Sequence, residues 1–225
     1  MKAVSRLSRT HVAEAQFALK APVDIVLEHL RQVGPAVASL RHESSRLAGW
    51  GEELARRLLA GNRLVTAGSV GSAAEVQQFT ADLLGRHSGE RRPFSVIALR
   101  ATPTAAGAGS VNVMEIAQGN AEEVASRAAA HIRADDVLLA VSASGHRHAL
   151  LEATAAAKTA GATVWAVTGR APNPLAQAAD EAICINAPKP QVREAQLIAL
   201  QAMAECVSAA LHNHATRPEA FPGGD

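Results

Sequence analysis

An α/β fold built on a parallel sheet is what this sequence predicts, and three observations predict it. Short runs rich in Val, Ile, Leu and Ala alternate with helical patterns from about residue 61 onward. Those runs are continuously apolar, as in strands covered on both faces. Two loops, Gly68-Ser69-Val70-Gly71-Ser72 and Ser142-Ala143-Ser144-Gly145, each follow such a run and lead into a helical pattern. A strand that passes through small residues into a helix is the repeating joint of a β-α-β sheet with right-handed crossovers.

Element by element, Thr10 to about Ala60 reads as helical. Thr10 with Ala13-Glu14 starts the pattern and Pro22 with Asp24 restarts it. Leu47, Leu54, Leu58 and Leu59 recur at helical spacing until Gly61-Asn62 stops them. Strands are expected at Arg63–Ala67, Phe94–Leu99, Asp136–Val141, Thr163–Val167 and Glu181–Ile185. Helices are expected at Ser72–Leu84, Ala121–Ile132, Arg147–Ala160 and Gln191–His212. Gly161 is placed to cap the third of these, and Asn120 with Glu123 forms a capping box before the second. Thr102–Gly109 is expected to be a mobile loop. The organisation that follows is a helical segment over 1–60, packed on the core or on a neighbouring subunit, an α/β domain over 61–213 and a flexible tail over 214–225.

Composition narrows the function. A chain of 225 residues with 48% hydrophobic and 19% charged content forms a well-filled domain rather than a disordered one. The net charge of +1 gives no bulk attraction to nucleic acid or to an anionic membrane. Aromatics at 3% and the absence of tyrosine argue against base-stacking surfaces. The basic cluster Arg86, Arg91 and Arg92 reads as a solvated loop. Abundant alanine points to helices packed closely through small side chains. Cys184 and Cys206 lack any disulfide framework or metal-ligand spacing and read as reduced, buried thiols. No apolar run approaches a membrane span and no signal sequence opens the chain, so a cytoplasmic location is expected.

The two loops carry the chemistry. Free backbone N–H groups, the positive end of a helix dipole and serine hydroxyls meet at each of them, and glycine lets the backbone approach an anion. Two such turns suggest a phosphorylated small molecule held at the carboxyl ends of the sheet.

Gly68-Ser69-Val70-Gly71-Ser72-Ala73-Ala74, then Phe79, Leu83, Gly85-Arg86 and Arg92-Pro93, resemble the first half of a sugar isomerase (SIS) domain. Asp136 to Gly145 resembles its second loop and Ala166-Val167-Thr168-Gly169 its third turn. The nearest branch is that of phosphoheptose isomerase and its non-catalytic relative that binds the replication initiator, over roughly Gly51 to Leu211. The resemblance implies a three-layer αβα fold with a five-stranded parallel sheet and N-terminal helices. It also implies a homodimer or homotetramer with a ligand pocket at a subunit interface. The implied reaction is the aldose–ketose isomerisation of a sugar phosphate such as sedoheptulose 7-phosphate, helped by zinc in some members.

By that resemblance Ser72, Ser142 and Ser144 fall on positions that hold phosphate or sugar hydroxyls, and Thr168 falls at the third strand end. Helix capping or simple turn chemistry is the alternative for each. Ser69 replaces the family's asparagine. Arg147 stands where the isomerases carry a further phosphate-binding serine; it either binds phosphate bidentately or snorkels to solvent. His146 and His148 read as solvated. The family's metal and acid–base positions read Gln78, Asp82, Arg193 and Gln201, and an aspartate of the family aligns with Ala101. Glutamine has no titratable nitrogen and is a poor zinc ligand, so no cofactor is expected. Asp82 and Glu194, with Glu75 beside the first loop, are the remaining carboxylates for proton transfer, unless they are merely salt-bridged. A sugar-phosphate isomerase, a non-catalytic sugar-phosphate-responsive regulator and an oligomeric scaffold for a protein partner all remain open.

Overall fold

The structure is a computed structural model and describes residues 21–69, 71–85, 95–99, 115–116 and 121–216. Thr10, Arg86, Arg91, Arg92, Ala101, the Thr102–Gly109 stretch and the Asn120 cap lie outside the described residues. In chain order the elements are α1 (Pro22–Ser39), a 3-10 turn (Leu40–Glu43), α2 (Ser44–Leu59), β1 (Leu64–Ser69), α3 (Ala73–Gly85), β2 (Val96–Ala98) and β3 (Glu115–Ile116). There follow α4 (Ala121–His131), β4 (Val137–Ser142), α5 (His148–Thr159), β5 (Thr163–Thr168), α6 (Pro174–Ala178), β6 (Glu181–Cys184) and α7 (Lys189–Thr216).

All strands are parallel, in the order β2-β1-β4-β5-β6. β1 and β4 are buried throughout, and β5 from Val164 onward, because helices cover both faces. Val137, Leu139 and Val141 face a core shared with α2, α3 and α7, while Leu138 and Ala140 face the core of α4 and α5. That alternation is the period of two that sends successive side chains to opposite faces. The result is a three-layer αβα sandwich. On the first face Trp50 of α2 stacks on Trp165 of β5, ring centroids 4.9 Å apart and ring planes nearly parallel. The Trp50 indole N–H donates to Glu181 Oε2 at 3.0 Å, which keeps its polar end satisfied.

The five expected strands and the helices they alternate with are present, their ends shifted by a few residues. Gly161 adopts φ +80 and closes α5 with the expected cap: its N–H donates to the Lys158 carbonyl and Ala162 N–H to that of Ala157. Two elements were not expected. β3 is too short to carry a hydrophobic pattern, yet it pairs with Gly68 and Ser69 beyond the end of β2. α6 is a single turn announced only by Asn173 and Pro174, cap and first helical residue. Leu59, on the expected apolar spacing, is 44% exposed, because the buried face of α2 runs through Leu47, Leu54 and Leu58. Cys184 and Cys206 are free, but half-buried rather than buried. Burial, then Glu205 and Glu52, pushes the Cys206 thiol upward and keeps it protonated.

At the amino end of the sheet Asp136 is nearly enclosed and accepts from the Arg63 guanidinium at 2.9 and 3.1 Å and from the backbone N–H groups of Arg63 and Arg133. A buried carboxylate saturated in this way locks β4 beside β1 and fixes which loops stand together at the opposite end.

Candidate functional site

The chain leaves β1 toward one edge, forms β2, and returns to β4 on the other side of β1. The strand order therefore reverses between β1 and β4, where the carboxyl ends of an open parallel sheet leave a crevice. Gly68 lies opposite Val141 in that register, so the two serine loops stand side by side.

In the first loop Ser72 N–H donates to the Ser69 carbonyl at 2.7 Å and closes a tight turn. The Ser72 hydroxyl is fully buried and donates to Gln196 Oε1 at 2.9 Å, while Gln196 Nε2 donates to the Val167 carbonyl at 2.9 Å. Ser72 thus ties the loop to α7 and β5. The Ser69 hydroxyl has no hydrogen bond among the described residues and remains available as a donor. In the second loop Ser142 Oγ accepts from Gly145 N–H at 3.2 Å and stands 3.5 Å from Ser144 Oγ. Ser142 is buried, whereas Ser144 is half-buried at the loop's open side. Arg147 is the exposed N-cap of α5 and makes no side-chain capping bond. His146 and His148 are both exposed.

Thr168 is fully buried, accepting from Asn173 Nδ2 at 3.0 Å and donating to the Gly169 carbonyl at 3.1 Å. Asn173 is the hub of this end of the sheet: its Oδ1 also caps α6 by accepting from Ala176 N–H at 3.0 Å. A Cβ on Gly145, which adopts φ +66, would collide with that side chain. The second loop is accordingly seated against Asn173 and, through its Gly145 carbonyl, accepts from Leu175 N–H of α6.

Beside the first loop opens a cleft of about 320 Å³ lined by Glu75, Pro190, Arg193, Glu194 and Leu197. The Arg193 guanidinium lies over Gly71, where an added Cβ would sit 3.1 Å from its Cζ and Nε. Glu75 Oε2 and Glu194 Oε2 are both buried and have no hydrogen-bond partner among the described residues. The other oxygen of Glu194 is held by His29 Nε2 of α1 at 2.6 Å. One turn away Gln191 Nε2 donates to Gln32 Oε1 at 3.2 Å.

Of the carboxylates picked from sequence, Glu194 and Glu75 share this cleft and Asp82 does not line it. Asp82 instead accepts from Gln78 Nε2 at 3.0 Å on the exposed side of α3. The residues present do not fit a zinc ion. Gln78 and Gln201 are exposed amides, Arg193 brings a positive charge, and among the described residues no three of His, Cys, Asp and Glu converge on one point. Sequence reasoning missed His29, Asn173 and Gln196. For His29 the available signal was a match of spacings: His29 and Gln32, like Gln191 and Glu194, are three apart and form one antiparallel stripe.

The SIS domain profile matches residues 4–169. A phosphoheptose isomerase of Streptomyces coelicolor is 41% identical over 187 residues, covering 83% of this chain and 79% of that one. One from Bradyrhizobium is 29% identical over 196 residues, covering 85% of this chain and 96% of that one. Among solved structures, a phosphoheptose isomerase from Neisseria gonorrhoeae superposes with a TM-score of 0.70 at 23% identity, over 84% of this chain and all of that one. The fold, the paired serine loops and these likenesses agree: the chain belongs to the SIS domain family, on its phosphoheptose isomerase-like side.

Proposed function

We propose that this protein isomerises a phosphorylated ketose to its aldose, with sedoheptulose 7-phosphate the first substrate to test, and that it does so without the family's metal ligands. The observation that carries this reading is the cleft beside the first serine loop. Its lining joins a cation, Arg193, to two carboxylates, Glu75 and Glu194, each with a buried oxygen that has no hydrogen-bond partner among the described residues. Likeness to the Streptomyces coelicolor phosphoheptose isomerase supports the substrate class. Ser69, Ser142, Ser144 and the start of α5 with Arg147 form the phosphate end, where N–H groups and hydroxyls favour an anion. Thr168 and Ser72 hold the loops in shape rather than touching the ligand, because both hydroxyls are already bonded inside the protein. Glu194 is the proton-transferring carboxylate of this reading; Asp82, bound to Gln78 outside the cleft, is not.

The apolar residues Val23, Val26, Leu27 and Leu30 of α1 are all exposed, which supports assembly into a homodimer or homotetramer. Light scattering on the purified chain tests this, and a monomer at micromolar concentration would count against it. The cytoplasm, where sugar phosphates are held, is the compartment this function implies; among the described residues no helix is long and apolar enough to cross a membrane.

A binding-only reading is favoured by one observation, the glutamines at 78 and 201 where the family carries histidines. The two readings separate in one experiment. Sedoheptulose 7-phosphate at about a hundred times its Kd raises the unfolding free energy by about 2.7 kcal/mol under either of them. Aldose forms only under the first. Ser144→Ala is expected to weaken the stabilisation, and absence of any stabilisation in the wild type would remove both.

A further inference from the structure

We propose that His29 is a positioning residue for Glu194, and that Arg193 supplies the positive charge that stabilises the oxygen of the enediolate intermediate. The proposal rests on the isomerase reading and deepens it by naming the groups that replace the family's histidines.

The positions where the family carries histidine are glutamines here, so a metal-free reaction must take its base and its electrophile from elsewhere. Two carboxylates of the cleft lining each have a buried oxygen without a hydrogen-bond partner among the described residues, but they are not equivalent. Glu194 is gripped at Oε1 by the His29 ring at 2.6 Å, and its Oε2 is buried without a hydrogen-bond partner among the described residues. An ionised carboxylate can only accept, so Nε2 of His29 carries the proton of that bond. Among the described residues no side-chain hydrogen bond orients Glu75, and its unpartnered oxygen suits it to accept from a sugar hydroxyl. His29 does not hold its place alone. The Gln32–Gln191 bond lies one turn further along the same pair of helices and clamps α1 antiparallel to the start of α7. A pair as exposed as His29 (49%) and Glu194 (36%) adds little to stability, so orientation is what the contact provides.

Arg193 lines the same cleft, with no ion-pair partner among the described residues and its guanidinium spread over Gly71. A planar cation beside a base in one cleft is an arrangement that stabilises charge developing on a carbonyl oxygen. The step balances within the substrate. Glu194 Oε2 removes a proton from C1 of the ketose, and the C–H electron pair forms the C1–C2 double bond. The carbonyl π pair moves to O2, which Arg193 stabilises. The proton then returns to C2 while the O1–H proton passes to O2, so that C1 becomes the aldehyde and O2 a hydroxyl, with no net gain or loss of atoms or electrons.

Steady-state kinetics of the full chain with sedoheptulose 7-phosphate, on wild type, Glu194→Gln, His29→Ala and His29→Gln, test the proposal, each variant first checked by circular dichroism and melting. Glu194→Gln is expected to lower kcat by about 10²- to 10⁴-fold. His29→Ala is expected to lower kcat by about tenfold or more with KM nearly unchanged, because orientation of the base matters in the transition state and not in binding. His29→Gln, which keeps a donor near the same place, restores most of the loss. Wild-type turnover with His29→Ala at full kcat overturns the positioning role while leaving the isomerase reading intact. Turnover unaffected by Glu194→Gln overturns the couple altogether. A wild type that binds the sugar phosphate without converting it overturns the isomerase reading and the proposal with it.

Discussion

Gly71 and Gly145 sit in the two serine loops, and a methyl group added to each meets a different obstacle. At Gly145 the backbone has positive φ and the new Cβ meets buried Asn173, the cap of α6 and partner of Thr168. Neither can yield, so Gly145→Ala is expected to cost about 1–3 kcal/mol in denaturant unfolding. At Gly71 the obstacle is the end of the flexible Arg193 side chain. Gly71→Ala is therefore expected to leave the unfolding midpoint nearly unchanged and to weaken sugar-phosphate binding by displacing the guanidinium, which calorimetry would measure. At this scale the sequence was half legible. Residue types announced an anion-binding loop, but the direction of a hydroxyl depends on partners far along the chain. Ser72 and Ser144 read alike as serines after a strand; Gln196, 124 residues from Ser72, turns one of them inward.

At the scale of elements, regular strands and helices were legible because their apolar runs are long enough to show a period. β3 and α6 were not, being shorter than one. The charges along α2 have a consequence of their own. Glu53 accepts from Arg56 and from Arg57, and Arg57 continues to the Asp135 carbonyl, joining α2 to the loop that precedes β4. The Arg56 hydrogen bond first, and Arg57 with it, lowers the Glu53 pKa from 4.5 to about 2 against the opposing effect of burial. Because the folded value lies below the unfolded one, this contribution is present in full above 4.5 and is lost as pH falls toward 2. Melting curves of Glu53→Gln are expected to show a flatter acid limb than the wild type over that window and a lower Tm at neutral pH. Asp180 acts in the same direction: burial raises it, but Lys158 and the Val164 N–H outweigh that and leave it lowered.

At the scale of the whole molecule, the order of the strands is what turns two loops distant in sequence into one site. The resemblance to SIS domains made the layers and the sheet legible in advance. The cleft was less so, because it needs α1, α3 and α7 together, and His29 lies 165 residues from Glu194. The matched three-residue spacings of His29–Gln32 and Gln191–Glu194 are the sequence's mark of such a pair, and the packing of α1 along α7 turns them into contacts. The chemistry claimed for the cleft is metal-free proton transfer within a bound sugar phosphate. The measurement that tests it most directly is proton NMR of sedoheptulose 7-phosphate with chelator-treated protein in deuterated water. Aldose signals and deuterium at the carbon beside the carbonyl, undiminished by the chelator and absent with Glu194→Gln, are the predicted result. Exchange that appears only after zinc is added back, or that persists in Glu194→Gln, would contradict it.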